Sequence, residues 1–81
     1  MKHEPISAHA RPKIIAKVAE TGTWEATRSG AHVKISRTLN LLDEHQIELE
    51  VRRHRHVIRE TAENVTSAIL SANSIIRGYG I

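Results

Sequence analysis

Six histidines in this chain of 81 residues raise the question of a metal site, because neutral imidazole is a common metal ligand. Two ligands on one helix face stand three or four residues apart, and no pair of these histidines lies four apart. The chain also has no cysteine, which excludes disulfides, thiolate ligands and cysteine nucleophiles. We therefore expect neither a metal nor another cofactor. The histidines are His3, His9, His32, His45, His54 and His56.

The densest positive charge lies in residues 51–59, which contain four arginines and no acidic side chain. Arranged on a helix, most of these arginines share one face and could bind phosphate. The preceding residues 43–50 carry four acidic and no basic side chains, so two antiparallel helices crossing near Val51 would pair opposite charges. The sequence slightly favours this pairing of two chains over phosphate binding. The arginines are Arg52, Arg53, Arg55 and Arg59.

The small size of the chain limits the functions it can have. A domain of this length buries only about 60% of its unfolded surface, so almost every apolar residue is needed for folding. An enzyme pocket needs a surrounding scaffold as well, so we expect a binding protein and no enzymatic activity. The net charge of +3 is compatible with a nucleic-acid partner. We find no export or membrane-spanning pattern, and expect a cytoplasmic location.

The first elements to position these charges are an arm and a helix. Residues 1–11 indicate a flexible arm, and Pro12 is suited to the first turn of a helix because it needs no N–H partner there. Ile14 and Val18 begin an apolar stripe. Gly22 is the expected residue just past the helix end, since glycine readily adopts the left-handed conformation.

Two further short helices are expected before residue 43. Thr23 is a good N-cap for a second helix, which Gly30 would end. A third helix would run over residues 33–42. Trp24 would anchor the second helix in the core or, if exposed, bind a protein partner. The sequence therefore predicts a compact three-helix unit over residues 12–42.

Residues 14–30, IIAKVAETGTWEATRSG, give this unit a family resemblance. The segment resembles the opening of homeodomain-like helix-turn-helix domains, as in phage small terminase subunits and transposases, and the resemblance covers residues 12–45. It implies that the third helix enters the major groove of duplex DNA, with the arm along the backbone. The DNA-binding residues implied are Thr23, Arg28, Lys34, Ser36, Arg37 and Asn40.

The second half of the chain suggests one long helix over residues 43–77, followed by a tail of residues 78–81. Asp43 and Gln46 form a capping-box pattern, and no glycine or proline follows until Gly78. Apolar residues recur three or four positions apart along it, with His54 filling one gap, and His54 would weaken pairing as the pH falls. This seam predicts a dimer interface at Ile47, Val51, His54, Ile58, Ala62, Val65, Ile69, Ala72 and Ile76.

The sequence thus predicts an all-α fold and a small regulatory protein that binds duplex DNA as a dimer. An alternative from a different class is a small helical protein of phage type that binds a host protein and inhibits or adapts it. In that case the long helix or Trp24 would be the binding surface.

Overall fold

The computed structural model of the protein describes residues 4–78 and has an α+β fold, so the all-α expectation is wrong. Along the chain, one α-helix precedes and another follows a four-stranded antiparallel sheet. After a short 3-10 helix at Ala8–Ala10, the elements are α1 Arg11–Thr21, β1 Thr23–Arg28, β2 Ala31–Leu39, β3 His45–Arg53, β4 His56–Ala62 and α2 Val65–Gly78.

The strands pair in the order β1-β2-β3-β4, each with its neighbour in sequence. Two-residue turns join β1 to β2 and β3 to β4. In the first turn Ser29 and Gly30 both have positive φ, 51° and 79°, as a type I′ hairpin turn requires. Gly30 therefore lies in the turn between β1 and β2. The residues expected to form a short helix ending at Gly30 form strand β1 instead.

Buried and more exposed residues alternate along the middle of the chain, which explains why it forms strands. Ala31, Val33 and Ile35 are buried and their neighbours are more exposed, and the same holds for every second residue of β3 from Ile47 to Val51. Side chains two residues apart lie on the same face of a strand. The helix expected over residues 33–42 is therefore wrong, and with it the three-helix unit and its recognition helix.

The first helix agrees with the sequence prediction. Pro12 lies in its first turn, and Ile14 and Val18 are its buried residues. Gly22 has a φ of 87° and donates its N–H to the Val18 carbonyl at 2.8 Å, which ends the helix. Local signals were sufficient here, because caps and turn residues act within a few positions of the helix end.

The long helix over residues 43–77 is wrong except for its last third, which forms α2. The structure places Ile47 and Val51 in β3, His54 in an exposed turn, and Ile58 and Ala62 in β4. The seam predicted to pair two chains is largely the core of one chain. Its buried members are Ile47, Val51, Val65, Ile69, Ala72 and Ile76.

Both helices cover the same face of the sheet. α1 packs against β1, β2 and α2, and α2 packs against β2, β3 and β4. The core lies between this helical layer and the sheet, and the opposite face of the sheet, which we call the open face, carries polar side chains. Within residues 4–78, neither helix is long and apolar enough to cross a bilayer.

Asn73 attaches the segment before α1 to the core. It is the one buried polar residue among those described, and its side chain forms hydrogen bonds with both the N–H and the carbonyl of a single residue. The Ile6 N–H donates to Asn73 Oδ1 at 2.7 Å, and Asn73 Nδ2 donates to the Ile6 carbonyl at 3.0 Å. This pair fixes Ile6, which is fully buried, against α2.

Replacing this amide should destabilise the protein measurably. In Asn73→Ala the buried N–H and carbonyl of Ile6 lose their partners, which should lower the free energy of unfolding by about 1–3 kcal/mol. Urea denaturation monitored by circular dichroism measures this change. The neighbouring exposed change Ser74→Ala is the control, and equal stability of the two variants would contradict the role assigned to Asn73.

Candidate phosphate-binding surface

The topology brings two hairpin turns to one end of the molecule. β1 and β3 finish at this end, and β2 and β4 begin there. α1 finishes at the opposite end, where the Gly22 carbonyl accepts a hydrogen bond from Arg37 N at 2.8 Å. Since α1 packs along β1 and runs back from that point, its first turn lies beside the two hairpin turns. We call this the hairpin end.

Five cationic side chains are placed at the hairpin end by the topology, and we call this set of residues the basic end. None of them forms an ion pair with a carboxylate of residues 4–78. The one acidic residue described at this end, Glu4, is already bound to Arg77, with Oε1 and Nη1 2.8 Å apart. The basic end consists of Arg11, Lys13, Arg28, Arg53 and Arg55.

Arg53 is the best-defined member of the basic end. It follows Val51 by two positions, so it lies on the helix-covered face, where its Nε and Nη1 are buried without a hydrogen-bond partner among residues 4–78. A Cβ on Gly30 would lie 3.5 Å from Arg53 Nη2, so the guanidinium rests against the neighbouring turn. Arg11 Nε is also buried and has no hydrogen-bond partner in the described part of the chain. Buried donors without an acceptor are costly.

Arg28 is held in place by its own strand. Its guanidinium carbon lies 5.7 Å from the centre of the Trp24 ring, and its Nη1 donates to the Thr27 carbonyl at 3.0 Å. Trp24 in turn packs against the core, but it does so from strand β1 and not from the second helix that the sequence predicts. Arg28 and Arg53 share a face on strands separated by β2, and two strand spacings place their backbones about 10 Å apart.

The open face has a different character, because it carries carboxylates among its cations and several of these form ion pairs. Glu50 accepts a hydrogen bond from Arg59 Nε at 3.0 Å and lies 3.5 Å from Arg52 Nη2. Glu25 lies 3.4 Å from His32. The hydrogen bond from Arg59, together with the nearby positive charges, lowers the pKa of Glu50. A surface neutralised in this way is poorly suited to binding phosphate.

Five of the six residues that the helix-turn-helix resemblance assigned to DNA lie away from the basic end. Lys34 and Ser36 are on the open face, where Ser36 Oγ is 3.4 Å from Thr23 Oγ1. Arg37 and Asn40 lie towards the opposite end, and the Asn40 side chain is engaged in a loop. Arg28 alone is part of the basic end.

Sequence reasoning missed most of the basic end for an identifiable reason. The sequence pattern places Arg11 in a trailing arm, and it places Arg53 and Arg55 in a helix that pairs two chains. The signal that would have placed them is the alternation of Ile47, Leu49 and Val51, which continues directly into the arginines. A strand with that alternation ends in a hairpin turn and not in a long helix.

No family model matches this sequence, and searches of curated proteins and of solved structures return no similar protein. The function must therefore be argued from the arrangement of the side chains.

The ion pairs of Glu50 generate a prediction about pH. Because its pKa is lowered in the folded protein, Glu50 contributes stability that is present above the ordinary value of 4.5 and is lost as the pH falls through the lower folded value. The protein should therefore be more stable than Glu50→Gln at neutral pH, and the difference should shrink below pH 4.5. Thermal unfolding from neutral to acidic pH measures this.

The matched control is Glu48→Gln, the same change two residues earlier on the same face, where no ion pair forms within the described chain. A stability difference for Glu50→Gln that stays constant across this pH range would contradict the role of the carboxylate.

Proposed function

We propose that this protein binds duplex DNA through the basic end, mainly by contacts with the phosphate backbone. The observation that supports the proposal most strongly is the set of five cations that form no ion pair with a carboxylate of residues 4–78. Duplex DNA is also the partner that the sequence predicts, but the binding surface is now the basic end and not a recognition helix.

The chemistry of the basic end fits phosphate well. Four of its five cations are arginines, whose planar guanidinium presents paired donors to two oxygens of one phosphate. Contact with Trp24 restricts Arg28, and Gly30 lies against Arg53, so less side-chain freedom is lost on binding. The two arginines stand about 10 Å apart by strand spacing. This is comparable with the major-groove width of about 12 Å, so they can reach phosphates on its two sides.

This mode of binding carries little sequence information. Phosphate contacts position a protein on a duplex, whereas base-edge contacts specify a sequence. The helix expected to enter the major groove is strand β2, with Lys34 on the open face and Arg37 at the opposite end. We therefore expect affinity that depends strongly on salt and weakly on sequence.

Neutralising exposed members of the basic end should weaken DNA binding. In Lys13→Gln/Arg55→Gln the dissociation constant for a short random-sequence duplex at low salt should rise about tenfold or more, because two phosphate contacts are lost. The plot of log affinity against log salt should also become shallower by about 2. Fluorescence anisotropy of a labelled duplex measures both quantities, and circular dichroism verifies that the variant is folded.

The control variant removes the same charges from the open face. Lys34→Gln/Arg59→Gln should bind with nearly the affinity of the parent protein, because neither residue belongs to the basic end. Equal losses in the two variants, or no binding by the parent at tens of micromolar, would overturn the proposal. Parallel titrations with single-stranded and double-stranded RNA establish whether DNA is preferred, and stronger binding to either RNA would reassign the partner.

A further inference from the structure

The loop between β2 and β3, residues 40–44, is held rigid by one side chain. Asn40 Oδ1 accepts hydrogen bonds from the N–H groups of Leu42 at 2.8 Å and Glu44 at 3.0 Å. Asn40 Nδ2 donates to Glu44 Oε1 at 3.2 Å. Two backbone bonds of 3.0 Å, Asn40 N to the Glu44 carbonyl and Asp43 N to the Asn40 carbonyl, close the loop. Its shape is therefore fixed before any partner binds.

This rigid loop presents leucines to solvent. Leu41 is fully exposed and Leu42 is 78% exposed, and Leu39 at the end of β2 is 56% exposed. The hydrogen bonds of Asn40 hold the loop in the conformation that exposes these side chains. Clustered apolar side chains on a protein surface mark a site of interaction, and here they form a protrusion.

An apolar groove, complementary to the exposed leucines, lies at the same end of the molecule as the loop. It is a groove of about 290 Å³ where α1 and the start of α2 meet the ends of β2 and β3. Ile15, Val18, Ala19, Ile47 and Val65 give it an apolar lining. Arg37 lies at its wall, exposed and without an ion pair to any carboxylate of residues 4–78.

We propose that this groove receives Leu41 and Leu42 from a second copy of the chain, and that the exchange is reciprocal. The leucines supply apolar side chains to an apolar recess. Asp43 and Glu44 follow directly and bring carboxylates to the guanidinium of Arg37. The loop therefore matches the groove in both apolar character and charge.

The position of the two features on one copy also favours a second copy as the occupant. Arg37, in the groove, is two residues before Leu39, where the loop leaves the sheet. A two-fold symmetric interface needs one patch that contains a protrusion and its recess side by side, because each copy offers the same patch to the other. The loop does not enter its own groove, since Leu41 is fully exposed.

Removing the leucines should weaken the dimer. Sedimentation equilibrium of the parent, followed into hundreds of micromolar, should show a monomer–dimer equilibrium. Leu41→Ser/Leu42→Ser should raise the dissociation constant about tenfold or more, because the groove loses both apolar side chains. Both positions are exposed to solvent, so the fold of the variant should be unaffected. The control Leu70→Ser removes a leucine that is 51% exposed on α2, outside the groove, and should leave the constant unchanged.

A mixing experiment tests the reciprocal geometry. Ala19→Glu places a carboxylate in the groove and should also weaken self-association. The loop variant has an intact groove and the groove variant has an intact loop, so an equimolar mixture should form a heterodimer with one of the two contacts restored. Titrating one labelled variant with the other, monitored by anisotropy, should show tighter association than either variant shows with itself.

Several results would overturn the proposal. A parent protein that stays monomeric at all concentrations would leave the loop for a different protein partner. An equal loss in Leu70→Ser would mean that the association does not use the loop. Head-to-tail association through opposite charges would instead be weakened by Lys13→Gln/Arg55→Gln and by salt, and not by loss of the leucines. None of these results depends on whether the basic end binds DNA.

Discussion

The packing of both helices on one face of a four-stranded sheet determines the rest of this structure. Val33, Leu49 and Val51 project from the sheet against Ile14 and Ile69, and all five side chains are almost completely buried. Helices packed in this way lie along the strands, so every element starts and finishes at one of two ends. The surface chemistry of the protein is then decided by which residues fall at each end.

The two ends differ in composition and are assigned different partners. The five cations of the basic end lie at the hairpin end, and they have no carboxylate partners within residues 4–78. The other end has the leucine loop and the apolar groove, in a molecule whose longest dimension is 39 Å. If both proposals hold, two copies joined through their loops present their basic ends on opposite sides, each free to meet a duplex.

The sequence predicted α1 with its glycine end and the helical character of the last part of the chain, but not the strands between them. A spacing of four, as between Ile47 and Val51, puts two side chains on one face of either a helix or a strand. Leu49 distinguishes the two structures, because it lies on the far side of a helix and on the same face of a strand. Read together, these three residues indicate a strand, and His54 then falls in a turn.

The sequence by itself determined the end of α1 at Gly22, the turn at Gly30 and the clustering of arginines near residue 53. These depend on backbone conformation and charge within a few residues. Only the tertiary structure decided that Arg11 joins Arg28 and Arg53, since strand pairing and helix packing bring together residues far apart in the chain. Burial of the sheet face selects that arrangement, and no local pattern encodes it.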